Sequence, residues 1–384
     1  MSRIYVGGVG LSRVGRHFGK DIVDLAYEVS LEAINEAGIE PDAIVVSNSL
    51  GNVLQKQNNL ASYISSSIGL RGKIAHHVEA GDGGGGAAIH VAYTLLRAKI
   101  VSSALVVGVE KMTDYPSHVI HTALSQLLNY EYEAYYGATL SGIAALVMRY
   151  YMRKYEVTRD AMSEWPVLMH YNASKNPYAQ IRKTITKENV TQSQVVADPL
   201  TLFDISPIGD GAAAVLLVDE EHIDHLDEKP EVFLNTVVHR VYELELTLRD
   251  DLAALPTVRE TVKLALKKAN LRIQDVDVIE LHDSFTITGL LILEEMGLAE
   301  KGKAAYLLSD GRFRYGDKPE VNLSGGLKAR GNPLGATGVY QLAEIVMQLR
   351  GDFPGLQSND PEIGLVLNMS GLGNSVSSII VRRR

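Results

Sequence analysis

Twice along this chain an amphipathic helix stops and a short strand rich in branched apolar residues begins, and that repeated step constrains the fold more than any other feature. Residues Asp21 to Ala37 place Ile22, Leu25, Ala26, Val29, Ala33 and Ala37 on one helical face, and Gly38 follows where the helix ends. Asp42-Ala43-Ile44-Val45-Val46-Ser47 then reads as a strand buried on both faces, and Ala104 to Val109 reads as another. The step returns in the second half. Pro256 to Ala269 is amphipathic through Val258, Val262, Ala265, Leu266 and Ala269, and Asp275 to Leu281 is the strand behind it. Each half also closes on a glycine turn feeding a last strand: Gly209-Asp210-Gly211-Ala212 before Val215 to Val218, and Gly371-Leu372-Gly373 before Val376 to Val381. Strands separated by helices imply crossover connections and mixed or parallel sheets.

The expected organisation is two similar α/β halves, residues 1–114 plus 201–225 and residues 226–384, with an insertion at 115–200 between them. That insertion reads as irregular and aromatic-rich, holding Tyr130, Tyr132, Tyr135, Tyr136, Tyr150, Tyr151, Tyr155, Tyr171 and the single tryptophan, Trp165. A long insertion of this kind serves as a lid or binding loop, or as a subunit interface.

Composition excludes several classes of function. A net charge of -9 argues against a nucleic-acid partner, because phosphate backbones need a basic surface. No apolar run approaches the ~20 residues of a membrane span. The start, Met1-Ser2-Arg3-Ile4-Tyr5-Val6, leads straight into a strand-like run without a signal-peptide pattern, so a cytoplasmic protein is expected. There are 0 cysteines, which removes disulfides, thiolate metal sites and covalent chemistry through sulfur. No metal site is expected.

Four segments carry the chemistry. Val78-Glu79-Ala80-Gly81-Asp82-Gly83-Gly84-Gly85-Gly86 opens a helix reaching about Leu96, which sets Asp82 at a helix N-terminus as an anion-favouring group or a simple cap. His282-Asp283-Ser284-Phe285 directly follows a buried strand, where catalytic groups of α/β sheets gather. The third is Asn322-Leu323-Ser324-Gly325-Gly326-Leu327-Lys328-Ala329-Arg330-Gly331-Asn332-Pro333-Leu334-Gly335-Ala336-Thr337-Gly338, with a helix from Val339 behind it. The fourth is Asn368-Met369-Ser370-Gly371-Leu372-Gly373.

Taken in order over nearly the whole chain, these motifs resemble the thiolases, in particular the sterol-carrier type and its archaeal relatives. The Ser324 to Gly338 block is the most specific part, and His282-Asp283-Ser284-Phe285 marks the subfamily. The resemblance implies a five-layered αβαβα fold of two similar halves with mixed sheets, a coenzyme A thioester as substrate or ligand, and a homodimer or homotetramer. Carried over by position, the acylated cysteine of the family falls on Asp82. The histidine that activates it falls on Asn332, and the second cysteine falls on Asn368 or Ser284. His282 alone keeps its family identity. Ser324, Gly325, Gly331 and Gly335 are the positions expected to hold the coenzyme.

A thiolase passes an acyl group through a thiolate, and a carboxylate in that place would give only a high-energy mixed anhydride. Asn332 cannot take a proton near neutral pH. The expected activity is therefore a thiolase-like action on acyl-CoA, within lipid metabolism, without thiolytic acyl-enzyme chemistry. Asp82 or His282 would be the base, and backbone N–H groups with Asn332 would hold an enolate or thioester oxygen. Two alternatives stand beside it. One is a non-catalytic coenzyme A-binding or scaffold subunit. The other is a retro-aldolase on β-hydroxyacyl-CoA with a small OB-fold partner, its base a tyrosine such as Tyr340, Tyr315 or one from the insertion. Lipid carriage is not expected, since no sterol-binding domain follows the last strand.

Overall fold

A computed structural model describes residues 2–384. The first half runs β1 (Ile4–Leu11), α1 (Ile22–Ala37), β2 (Ala43–Ser47), α2 (Leu60–Ser67), β3 (Ile74–Val78), α3 (Gly84–Arg97), β4 (Ser103–Glu110) and, after the insertion, β5 (Gly211–Asp219). The second runs β6 (Val232–Val241), α4 (Pro256–Ala269), β7 (Val278–Leu281), α5 (Thr286–Glu295), β8 (Glu320–Val321), α6 (Thr337–Arg350), β9 (Ile363–Ser370) and β10 (Ser375–Arg383).

The helices form where local chemistry directs them. Asp21 accepts hydrogen bonds from the Val23 and Asp24 backbones while Asp24 reaches back to the Asp21 N–H, a capping box that starts α1. Gly38 ends it at φ 69°, a left-handed conformation that costs glycine nothing. Pro256 supplies the first turn of α4, and Asn270 closes it. Both helices bury the apolar stripes that their spacing foretells. The strand foreseen from Asp275 is shorter, because Ile273–Asp275 forms a 3-10 turn and pairing begins at Val278.

The duplication is complete in the sheets. The strand order is β1-β5-β4-β2-β3 in the first half and β6-β10-β9-β7-β8 in the second. In each, the first three strands run antiparallel and the last two join in parallel. The two sheets meet where Ile4 lies opposite Leu234 and Tyr5 opposite Phe233. Helices α3 and α6 pack against strands of both sheets and form the central layer. Outside it, α1 and α2 cover the first sheet, while α4 covers the β6 and β10 strands of the second. The layers are therefore αβαβα. Ala88, Ile89, Val106, Val339, Leu342, Val366 and Ile379 fill the centre, where each fully buried Val, Leu or Ile side chain contributes about 1.5–3 kcal/mol.

The glycine run of α3 has a packing reason. A Cβ on Gly85 would sit 2.7 Å from the Gly338 nitrogen, so the first turns of α3 and α6 touch backbone to backbone. That contact brings the two candidate loops together.

The 115–200 stretch is ordered and mainly helical, which corrects its irregular reading. It contains helices Ser117–Leu124, Leu140–Tyr155 and Glu164–Ala173 and a small hairpin at Val195–Ala197 and Leu200–Thr201. Thr139 caps the longest helix, which buries Ile143, Ala144, Val147, Met148 and Tyr151 on one face. Its aromatics divide. Tyr151 and Trp165 are core residues, whereas Tyr130, Tyr132, Tyr135 and Tyr136 are exposed. Among the described residues no helix is long and apolar enough to cross a membrane.

Candidate active site

Asp82 stands just ahead of α3, whose N-cap is Gly83 and carries no side-chain cap. Its carboxylate does not cap that helix, which corrects the simpler sequence reading. It turns instead toward the second half. Oδ1 accepts the Gly371 N–H at 2.9 Å, in the turn between β9 and β10, and Oδ2 lies 3.2 Å from His282 Nε2. His282 comes directly after β7 and is fully buried.

Asn368, in β9, orders this cluster. Its Oδ1 accepts the Gly86 N–H at 2.9 Å, so its Nδ2 must point the other way. There it donates to the Asp82 carbonyl and lies 3.2 Å from His282 Nδ1. An amide N–H beside Nδ1 makes that nitrogen an acceptor, so in the neutral ring the proton sits on Nε2 and is given to Asp82. One backbone N–H of α3 thus sets an amide, the amide sets a tautomer, and the tautomer sets a donor on a carboxylate.

Asp82 opens into a cleft of about 280 Å³ shared with Ser284, Asn332 and Gly371. Asn332 Oδ1 accepts the Thr337 hydroxyl at 2.8 Å, which leaves the amide N–H groups for the cleft. Ser284 Oγ is buried and has no hydrogen-bond partner. The rest of the wall is mostly apolar, with Met112, Phe285 and Leu334, Leu124, Leu140 and Val196 from the insertion, and Ile205, Pro207 and Ile208 from the chain returning to β5. Its polar members are His121, Thr139, Ser141 and Ser206. His282 and Asn368 lie behind Asp82, outside this wall.

Other candidates fall elsewhere. Ser324 gives its hydroxyl to Glu280 at 2.7 Å, and a Cβ on Gly325 would meet Ala173. Gly331 packs on Val14 and Gln180. Gly335 donates to Glu110 at 3.1 Å and accepts from Ser47 at 2.7 Å. These four shape the block that carries Asn332 and are absent from the cleft wall. Tyr340 is buried against Ser12, its phenol raised above the usual range by burial, and Tyr315 is 51% exposed. No tyrosine lines the cleft.

Two buried acids, Glu110 outside the motifs and Asp283 inside one but given no role there, hold the site's supports. Glu110, at the end of β4, accepts from the Ser49, Leu50 and Gly335 backbones and from Asn48 Nδ2, and burial lifts it to about 7 against these bonds. Asp283 accepts from Trp165 Nε1, Leu327 N and Asn322 Nδ2, and burial likewise raises it to about 7. The sequence signal for Glu110 is a charge closing an otherwise apolar strand.

Two duplicated α/β halves sharing a central helix pair, with a loop from each half meeting in one cleft, define a protein of the thiolase-fold class. Residues 11–221 match the thiolase N-terminal domain model, and residues 239–383 match the thiolase C-terminal domain-like model. The chain is 36% identical to an acetyl-CoA acetyltransferase of Methanothermobacter thermautotrophicus, over 100% of both chains. It is 29% identical to the sterol carrier protein 2 of Bos taurus, over 98% of this chain and 71% of that protein. The solved structure of an Ltp2-ChsH2(DUF35) aldolase is similar in fold at TM-score 0.85 and 21% identity, covering 99% of this chain and 98% of that one. This chain belongs to the thiolase family.

Proposed function

We propose that this chain binds an acyl thioester of coenzyme A in the cleft and acts on it by proton transfer, without passing the acyl group to the protein. The observation that carries this reading is the Asp82 carboxylate, at the position the resemblance gives to the acylated cysteine, facing the cleft and held by Gly371 and His282. Each carboxylate oxygen keeps a second lone pair, so Asp82 can still accept a proton from a ligand.

Retro-aldol cleavage of a β-hydroxyacyl thioester fits these groups. Asp82 takes the β-hydroxyl proton, and the O–H pair left on oxygen closes to a carbonyl as the Cα–Cβ bond breaks. The released pair becomes the thioester enolate, held by the Asn332 amide and the Ser284 hydroxyl, and Cα takes the proton back from Asp82. The fold likeness to an aldolase supports this form, and the name of that structure is the reason for including a DUF35-type partner. We include assembly into two or four copies in the proposal.

The decisive experiment assays purified protein, alone and with candidate small partner proteins, on a β-hydroxyacyl-CoA and on acetoacetyl-CoA plus coenzyme A. Cleavage of the first without thiolysis of the second supports the reading. Thiolysis in the ordinary enzyme range of ~1–10³ s⁻¹ overturns it. A scaffold role is the second reading, favoured by Asp82 already having a donor on each oxygen. Thioester binding with no turnover under any partner condition would establish it.

A further inference from the structure

Beside the cleft lies an open hollow of about 490 Å³ formed by Arg13, Gly15, Arg16, His17, Gln180 and Ile181. Strands β1 and β4 both run antiparallel to β5, so they point the same way and their carboxyl ends share one edge of the molecule. The hollow follows β1 there and the cleft follows β4, the edge at which open α/β sheets bind ligands. The two are joined through backbone. Gln180 Nε2 donates to the Ile208 carbonyl at 2.9 Å, and Ile208, a cleft residue, bridges to Asn332.

The charge in this hollow is unspent. In a chain of net charge -9, Arg13 and Arg16 are exposed and form no ion pair among the described residues. Arg13 uses only Nε, toward the Ala179 carbonyl at 3.4 Å, so its terminal amino groups remain free to fork onto an oxyanion. His17 gives Nε2–H to the Arg13 carbonyl at 2.7 Å and fixes the loop. Asp210, which accepts the His17 backbone N–H at 3.1 Å, is already met by Lys111 at 3.0 Å and by Thr113. Phe18, the next residue after His17 in the chain, is 66% exposed.

We propose that this hollow is a phosphate subsite, in which Arg13 and Arg16 hold phosphate oxygens of a nucleotide-type ligand. The assignment rests on the thioester reading of the cleft only for its source. The phosphates belong either to the coenzyme A carrier whose acyl end lies in the cleft, or to a separate phosphorylated molecule.

Titration calorimetry at low ionic strength with coenzyme A, ADP and pantetheine separates these cases. The Arg13→Ala, Arg16→Ala double variant should weaken ADP by about 10- to 100-fold, as expected for losing hydrogen bonds from charged donors. Arg13→Lys, Arg16→Lys should recover part of that loss. Equal weakening of coenzyme A, with pantetheine unaffected, identifies the carrier as the source. Weakening of ADP alone identifies a separate ligand. Unchanged ADP affinity, or pantetheine falling as far as ADP, overturns the subsite. If the wild type binds ADP but neither coenzyme A nor pantetheine, the cleft reading fails while the phosphate subsite stands.

Discussion

Asn368 Nδ2 lies 3.2 Å from His282 Nδ1, and this contact decides which imidazole nitrogen carries the proton toward Asp82. The donor on the carboxylate therefore depends on an amide in another strand and, through it, on the first turn of α3.

Replacing Asn368 by Asp removes the N–H that fixes the ring. A carboxylate beside Nδ1 accepts from it, which moves the neutral-ring proton to Nδ1 and leaves Nε2 without a hydrogen for Asp82. Nitrogen-15 chemical shifts should report an Nε2–H tautomer for His282 in the wild type and an Nδ1–H or doubly protonated ring in N368D. The same tautomer in both proteins would break the proposed relay. Turnover should fall with the switch by roughly 10²-fold or more if the relay serves acid–base chemistry.

Asp82→Asn keeps the volume and an acceptor for the Gly371 N–H but removes the proton acceptor. Activity on a β-hydroxyacyl-CoA is expected to fall by ~10²-fold or more while thioester binding is roughly kept. Equal turnover in wild type and D82N would remove Asp82 from the chemistry. Binding that collapses along with turnover would instead mark it as a structural anchor of the Gly371 turn.

Ser284 presents the opposite balance. Its hydroxyl is buried without a partner, so Ser284→Ala removes an unsatisfied polar group and should leave stability unchanged or raise it by up to ~1 kcal/mol. If the hydroxyl holds the enolate oxygen, kcat/KM drops about 10²- to 10³-fold in the same variant, as for loss of one hydrogen-bond donor to developing charge. Chemical denaturation and steady-state kinetics on one preparation distinguish the outcomes. A variant that loses stability and activity together would assign Ser284 to packing.

Much of the fold is legible in the sequence because its signals are local. The stripes of α1 and α4 and the apolar runs of β2 and β4 need only their own residues, and the structure places them as their periods require. The helix Leu140–Tyr155 was equally periodic, but its tyrosines read as loop-like aromatics. Tyr151 is in fact buried, its ring 5.2 Å from that of Tyr155 and its hydroxyl on Glu294. The site was legible only in part. Motif positions foretold Asp82, Ser284 and Asn332 together, yet the glycines beside Asn332 turned out to serve close packing. Most of the apolar wall escaped because Met112, Leu140 and Ile205 come from separate segments with no shared pattern, while Phe285 and Leu334 lie inside the quoted motifs. The direction of Asp82 is likewise a tertiary fact, set by Gly371 and His282 rather than by its own helix.

Glu110 links the site to pH. It gathers N–H groups from the Ser49–Leu50 turn and from Gly335, so it fixes the base of the block that carries Asn332. Burial lifts its carboxyl from 4.5 to about 7. Between those values the folded chain keeps a proton that the unfolded chain has released. Its contribution to stability is therefore complete below about pH 4.5 and lost as pH rises through about 7, a change of about 3 kcal/mol from the shift. Glu280, Asp283 and Glu344 are raised by burial too and act in the same direction, so the wild-type curve alone does not isolate Glu110. The comparison with Glu110→Gln does, because glutamine keeps the shape and an acceptor oxygen but cannot titrate. Unfolding free energies from denaturant melts at about pH 5 and about pH 8 should differ less in E110Q than in the wild type. Parallel losses in the two proteins would show that Glu110 stays ionised in the fold, its backbone donors outweighing its burial.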